Sequence, residues 1–176
     1  TQPDDRDPEA TGGTVVTPSG ARTMDVHVFG ESIAAVTIPD AEGFEASQTI
    51  DATGMIVVPG GIEPHAHIGG PRQPERSGAE PVSKAAIFGG TTTILDFATQ
   101  VPGHDLLHAV DEAANRWKGV GYTDYAYHPI FENRASETAI AQIPELVQSG
   151  IPSFKIFTTS IRPPSPQMED RHTDFG

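Results

Sequence analysis

Two histidines one residue apart, His65 and His67, are the side chains of this sequence whose type and spacing best suit metal chemistry. They lie in the segment GIEPHAHI (61–68), which we predict to be a strand that ends at a Gly-Gly-Pro turn. Side chains two positions apart on a strand point to the same face, so both imidazoles would be close enough to share one metal ion. Zinc favours imidazole ligands, and catalytic zinc sites keep one coordination position for water. The pair alone is weak support, because seven histidines can produce such spacing by chance.

Three further polar residues fall in segments that we predict to be strands. Lys155 lies in the apolar run SFKIFTT (153–159), an unusual place for a residue type that is mostly exposed or salt-bridged. Asp96 lies near the end of TTTILDFA (91–98), where it would either orient a ligand or cap a helix. His128 lies near the end of the predicted strand TDYAYHPIF and is more typical of a hydrogen-bonded histidine than of a metal ligand.

The elements that must position these residues begin at Pro59. From there strands alternate with helices, with strands at 61–68, 91–98, 123–131 and 153–159 and helices at 79–88, 104–118 and 136–148. This rhythm is typical of a parallel sheet, either doubly wound or part of a (β/α)8 barrel, whose active sites lie at the carboxyl ends of the strands. No phosphate-binding glycine fingerprint follows the strands, which disfavours a nucleotide-binding Rossmann fold. In the last helix we expect Ile140, Ile143 and Val147 to face inward.

The first 58 residues have a different pattern. Residues 1–12 are polar and acidic, and we predict that they form a flexible tail. Residues 13–58 contain short β-branched runs separated by turn-forming residues, which indicates a small sheet that is not a whole domain. The domain boundary is therefore expected at residue 59.

Composition limits the classes of function. The formal net charge of -13 disfavours binding to nucleic acid or to anionic membranes, since both need clustered lysine and arginine. The chain has no cysteine, so any transition-metal site must use histidine, a carboxylate or a modified lysine. No apolar run approaches the ~20 residues that span a bilayer, and no signal-peptide pattern is present, so we expect a cytoplasmic protein.

Several motifs in order resemble one known family. The segment VVPGGIEPHAHIGGP (57–71), followed by FGGTTTILDF (88–97) and SFKIF (153–157), resembles the dihydropyrimidinase/hydantoinase family of the amidohydrolase superfamily. The β segment from GTVVTPSGARTMDVHVFG to IDATGMIVVPGG is similar to that family's N-terminal region. The resemblance covers roughly residues 13–160. It implies an α/β fold in which 59–176 form the first four βα units of a TIM-like (β/α)8 metallohydrolase barrel, preceded by part of a small β-sandwich domain.

The resemblance also implies a chemistry. His65 and His67 would bind the more buried of two divalent metal ions, with zinc the expected metal, and Lys155 would be carbamylated and bridge both ions. A hydroxide held between the metals would attack the carbonyl of a cyclic amide such as a dihydropyrimidine or hydantoin, because metals lower the pKa of bound water toward ~7. The protein would then be a hydrolase acting on the C–N bonds of cyclic amides.

The family's remaining site residues have no counterpart in this sequence. They are two histidines from the fifth and sixth strands and a proton-handling aspartate from the eighth. We therefore expect the C-terminal half of the enzyme to come from further sequence of the same chain or from a second polypeptide. The family also implies a homo-oligomer, such as a tetramer, without nucleic-acid or membrane partners.

Two departures from the family leave the substrate open. Ser160 stands where many members have a tyrosine that polarises the substrate carbonyl, and Gly69-Gly70 replaces an acidic and an apolar residue. The dihydroorotase branch would have an arginine near Gly69, and Arg72 is too late in the sequence to take that place, which argues against this branch. Asp96 and Ser160 are further candidates for contact with a ligand or substrate. The alternatives are an allantoinase-like or other amidohydrolase with a different amide substrate, and a non-catalytic relative that acts as a scaffold subunit.

Overall fold

The computed structural model describes residues 7–70, 76–101, 103–131 and 136–157. The chain divides into two compact units, residues 1–59 and 60–176. No helix in the described ranges is both long enough and apolar enough to cross a membrane.

The first unit contains one sheet of five strands. They are β1 (Pro8–Thr17), β2 (Gly20–Phe29), β3 (Ser32–Thr37), β4 (Gln48–Asp51) and β5 (Ile56–Val57). The order is β3-β2-β1-β4, and β5 also pairs with β1. Strands β1, β2 and β3 pair antiparallel, whereas β4 and β5 run parallel to β1.

The prediction of a flexible tail through residue 12 is wrong from Pro8 onward. Strand β1 begins there, with Pro8 opposite Gln48 and Thr11 opposite Asp51 of β4. These partners lie about 40 positions later in the sequence, so the polar composition of the segment gives no local sign of the pairing.

Buried carboxylates hold the turns of the first unit. Asp25 Oδ1 accepts a hydrogen bond from the backbone N–H of Gly12 at 2.9 Å, and its Oδ2 accepts one from that of Asp40 at 3.1 Å. Asp7 Oδ1 accepts one from the N–H of Gly30 at 2.8 Å. Gly12, Asp40 and Gly30 all have positive φ, at 70°, 59° and 60°. Gly12 lies at a bulge of β1, and Gly30 and Asp40 lie in turns, so the carboxylates satisfy amide groups that the bulge and the turns remove from the sheet.

The second unit alternates strands and helices as predicted. Its elements are β6 (Gly61–Ala66), α1 (Ala79–Phe88), β7 (Thr91–Thr99), α2 (Leu106–Trp117), β8 (Asp124–Ile130), α3 (Glu137–Ala141) and α4 (Ile143–Gln148). The three strands form a parallel sheet in the order β6-β7-β8. The bounds of α1 coincide with the prediction.

Helix α2 forms the main contact between a helix and this sheet. Leu106, Ala109, Ala113 and Trp117 are buried at three- and four-residue spacing and belong to the same core cluster as Ile94 of β7. Asp105 caps the helix, because its Oδ1 accepts a hydrogen bond from the N–H of His108 at 2.8 Å.

The helix predicted at 136–148 is divided in two. Ser136 caps it as expected, with Oγ accepting from the N–H of Ala139 at 3.1 Å. The division falls at Gln142 because Pro144, in the first turn of α4, has no N–H with which to continue α3. The break changes the inward face: Ala139 and Leu146 are buried, whereas Ile140 and Val147 are 49% and 45% exposed. The predicted inward positions of Ile140 and Val147 are therefore wrong.

The predicted fourth strand is reduced to one bridge in its described part, residues 153–157. Lys155 pairs in parallel with Ile130 at the edge of β8. Its N–H donates to Pro129 O at 2.9 Å, and its carbonyl accepts from the N–H of Phe131 at 3.1 Å. The run has the residue types of a strand, but extended pairing needs neighbours that the local sequence does not specify.

Candidate metal-binding site

His65 and His67 lie at the carboxyl end of β6, where the strand stops. Their rings are on the same side, with centroids 5.4 Å apart, and both residues are largely exposed, although the ring of His67 is partly covered by neighbouring groups. His65 lies in the irregular last part of strand β6, and His67 follows the last strand residue, Ala66. Two imidazoles at this separation present nitrogen donors to a common space.

Lys155 reaches the same space from the other edge of the sheet. Its Nζ lies 3.4 Å from His65 Nε2, although the two residues are 90 positions apart in the sequence. An ammonium group has donors only, so Nε2 of His65 is the acceptor, and the proton of the neutral imidazole is then on Nδ1. The parallel bridge of Lys155 to Ile130 brings the lysine to this position.

Phe97 forms the floor under these three residues. Its ring is stacked with His67 at a centroid distance of 4.4 Å and meets His65 edge-on at 4.8 Å. Lys155 Nζ lies 4.7 Å from the same ring centroid, a favourable position for an ammonium group. Sequence reasoning missed Phe97. The available signal was its place on the strand next to β6, one residue after Asp96.

The environment of His67 favours the neutral imidazole. Its pKa is lowered, first because partial burial penalises the charged ring, and then because Arg76, His65 and Lys155 add positive charge nearby. A neutral imidazole is the form that binds a metal ion.

Asp96 anchors the backbone that follows the two histidines. The side chain is fully buried. Oδ1 accepts hydrogen bonds from the N–H groups of Ile68 at 3.1 Å and Phe97 at 2.7 Å, and Oδ2 accepts from Arg116 Nη2 at 3.1 Å and Trp117 Nε1 at 3.0 Å. Of the two sequence interpretations, helix capping does not fit, since Asp105 caps α2. The carboxylate instead joins helix α2 to the chain directly after His67.

The Gly69-Gly70 departure has a packing reason. A Cβ atom at Gly69 would overlap the backbone carbonyl of Arg76, and one at Gly70 would lie 2.6 Å from Arg116 Cδ. The N–H of Gly69 also donates to Ser77 O at 2.8 Å. Backbone therefore leaves no room for a larger residue at Gly69, whereas a larger residue at Gly70 would displace the side chain of Arg116, the one that pairs with Asp96.

His128 is hydrogen-bonded on both ring nitrogens. Nε2 lies 3.1 Å from Pro64 O, and Nδ1 lies 2.7 Å from Ser153 Oγ. A carbonyl can only accept, so Nε2 carries the proton, and in the neutral ring Nδ1 accepts from the Ser153 hydroxyl.

The donor set suits part of a metal centre. Within the described ranges, no group of three or more histidine, aspartate and glutamate side chains is placed to hold a metal ion. The convergent donors are two imidazoles and the amine of Lys155, which cannot ligate as an ammonium but would supply oxygen donors as a carbamate. Ser160, the other predicted site residue, lies outside the described residues.

Comparison with known proteins points to one group of enzymes. The chain is 37% identical over 153 residues to a D-hydantoinase of Streptomyces coelicolor, covering 83% of this chain and 32% of that protein. It superposes with a TM-score of 0.79 and 32% identity on a dihydropyrimidinase from Brevibacillus agri, covering 89% of this chain and 34% of that one. An L-hydantoinase from Arthrobacter aurescens matches at a TM-score of 0.75 and 27% identity, with 95% and 36% covered. The chain thus spans about a third of the length of these relatives. No protein-family model matches the sequence.

Proposed function

The chain belongs to the hydantoinase/dihydropyrimidinase family, and from this premise we propose that the complete protein hydrolyses a cyclic amide such as a dihydropyrimidine or hydantoin. The proposal rests on one observation: the side chains of His65, His67 and Lys155 all contact the ring of Phe97. The lysine joins this group from a segment 90 residues after the first histidine. The donor types fit a hydrolytic metal centre, and the site lies at the carboxyl end of a parallel sheet.

We propose that the parallel sheet is the beginning of a (β/α)8 barrel. Strands β6, β7 and β8 would be its first three strands, and the segment around Lys155 the fourth. The unit of residues 1–59 would form part of a small β-sandwich domain. Closure of the barrel would require strands from the rest of the protein, which would also supply two further histidine ligands and an aspartate.

Within this proposal His65, His67 and a carbamylated Lys155 hold two divalent metal ions, with zinc the expected metal. Carbamylation would form an N–C bond between the neutral lysine amine and CO2 and release one proton. Metals bound there would lower the pKa of a coordinated water and polarise the amide carbonyl. The residues of this chain would meanwhile keep the donors in place: Phe97 supports the rings from below, and Asp96 fixes the backbone after His67.

Replacement of Lys155 tests the proposal. In the complete enzyme, Lys155→Ala should abolish hydrolysis of a hydantoin and a dihydropyrimidine and reduce the zinc content measured by elemental analysis. Short carboxylic acids that restore part of the activity would support the carbamate role. Lys118→Ala, at an exposed lysine after α2, is the matched control and should change neither quantity. Wild-type zinc content and turnover in Lys155→Ala would contradict the proposal.

A panel of cyclic amides tests the choice of ring. Relatives named D-hydantoinase, L-hydantoinase and dihydropyrimidinase all match this chain, so the panel should include both hydantoin enantiomers, a dihydropyrimidine and allantoin. Turnover of allantoin alone would favour the allantoinase-like alternative, and turnover of any ring would eliminate the scaffold alternative. We also propose that the protein is a cytoplasmic homo-oligomer, which light scattering and cell fractionation would check.

A further inference from the structure

His128 connects the two segments that carry the candidate ligands. Its ring contacts Pro64, the residue before His65, and Ser153, two residues before Lys155. The ring also lies beside the Phe97 floor, at a centroid distance of 5.5 Å. Both hydrogen bonds are inside the second unit, and each reaches a different edge of the parallel sheet.

The contact with Pro64 falls where strand β6 leaves its regular pairing. Glu63 is opposite Ile94 of β7 and Ala66 is opposite Asp96, so β6 has one extra residue between these pairs. Such a bulge removes backbone groups from the ladder. The N–H of His65 donates to Glu63 Oε1 at 2.8 Å, and the Pro64 carbonyl accepts from His128 Nε2. At this bulge, the side chains of Glu63 and His128 therefore bind the backbone groups at and next to His65.

The contact with Ser153 supports residues 153–157, a segment that otherwise has few backbone hydrogen bonds to the sheet. In residues 153–157, the backbone bonds to the sheet are those of Lys155 with Pro129 and Phe131. The Ser153 hydroxyl, 2.7 Å from His128 Nδ1, adds a second point of attachment just before the lysine. Two attachments restrict the direction in which the lysine side chain leaves the sheet.

We propose that His128 is a positioning residue that sets the separation between His65 and Lys155. One rigid ring holds the Pro64 carbonyl on one side and the Ser153 hydroxyl on the other, so it fixes both segments relative to each other. We call this pair of hydrogen bonds the clamp. Both ring nitrogens are occupied by these bonds, and the residue therefore acts through its neighbours and does not bind metal. This inference rests on the proposed function, because it concerns the geometry of the same donor set.

Metal affinity measured in three variants of the complete protein tests the inference. Metal-free protein is titrated with Co²⁺ in the presence of bicarbonate, and the visible absorption reports the ligand geometry. His128→Phe keeps a ring beside Phe97 but loses both hydrogen bonds, and it should weaken Co²⁺ binding by roughly 10- to 100-fold and alter the spectrum. His128→Gln, whose amide offers one donor and one acceptor, should restore most of the affinity. Ser153→Ala loses only the lysine-side bond and should give an intermediate loss.

A stability control separates positioning from general destabilisation. Ser136→Ala removes the cap of α3, away from the His128 hydrogen bonds, and should lower the thermal stability while leaving Co²⁺ binding unchanged. Wild-type affinity and spectrum in a folded His128→Phe protein would overturn the clamp while leaving the proposed function intact. Should His128→Phe not fold, Ser153→Ala decides, with Ser153→Thr as the variant that keeps the hydroxyl. Absence of Co²⁺ binding in the wild-type protein would overturn both the proposed function and the clamp.

Discussion

In residues 7–59 the buried carboxylate of Asp25 accepts hydrogen bonds from two backbone N–H groups, and in residues 60–157 that of Asp96 does the same. The difference is in what each carboxylate joins. Asp25 holds a bulge and a turn within one sheet, whereas Asp96 also binds Arg116 and Trp117 of α2 and fixes the chain after His67. A buried acid is therefore not by itself a sign of function. Its hydrogen-bond partners show whether it supports the fold alone or the fold and a site together.

The largest effect is expected from removal of the carboxylate that supports the site. Asp96→Ala leaves Arg116 without its buried partner and three further donors without an acceptor, and it should cost about 3–5 kcal/mol. Asp25→Ala leaves two amides unpaired and should cost about 1–3 kcal/mol. Denaturant unfolding of the complete protein measures both. Amide exchange should speed up at Ile68 in the first variant and at Gly12 in the second.

The zinc content of the same two variants tests whether Asp96, unlike Asp25, supports the metal site. Asp96→Ala should lose metal, since the backbone after His67 is released, whereas Asp25→Ala should retain it. Equal losses of metal in both variants would show that the two acids do not differ in role.

A smaller effect is expected at a turn of the first unit. Gly30 has φ of 60°, and no neighbouring atom lies within 4 Å of the position of an added Cβ. Gly30→Ala should therefore cost about 1–2 kcal/mol through backbone strain alone, with no change in metal content. Gly30→Asn should cost less, because asparagine tolerates this conformation better. A cost for asparagine as large as that for alanine would contradict this explanation. Thermal unfolding of the three proteins provides the comparison.

The smallest effect is expected at the start of α2, the helix that carries Arg116 and Trp117. Asp105→Ala removes the cap and should cost about 1 kcal/mol, whereas Asp105→Asn should keep most of it. The pKa of Asp105 is lowered, first by the N–H of His108 and then by the side-chain amide of Gln142. The ionised cap therefore stabilises the folded state above the unfolded pKa, and this contribution is lost as the pH falls through the lower folded pKa.

Unfolding between pH 2 and 6 tests the titration of this cap. The pH dependence of stability should be weaker in Asp105→Asn than in the wild-type protein, because asparagine does not titrate. An unchanged profile in the asparagine variant would assign the acid sensitivity to other carboxyl groups.

Much of the second unit could be predicted because its signals are local. Helix α1 begins and ends at the predicted residues, and the apolar spacing of α2 places Leu106, Ala113 and Trp117 in the core. The errors occur where the outcome depends on distant partners or on one backbone detail. Pro8–Thr11 becomes part of a strand through pairing with β4, and Pro144 divides the last helix.

The site shows the same division. Residue type and spacing identified His65 and His67 as candidate ligands, and the family resemblance added Lys155. Nothing local indicated that Phe97 would lie beneath them or that His128 would connect their segments. These contacts join residues from 25 to 64 positions apart and arise from the order of strands in the sheet.

The sequence alone determined the chemistry that is available: two imidazoles on one face of a strand end, an amine in an apolar run, and a βα rhythm that requires a parallel sheet. These properties follow from side-chain type and from periodicities of a few residues, which act over short stretches of chain. The tertiary structure decided which of these groups meet. The bulge in β6, the buried bonds of Asp96 and the ring of His128 set the 3.4 Å approach of Lys155 to His65. That approach depends on packing between strands whose order in space no single segment encodes.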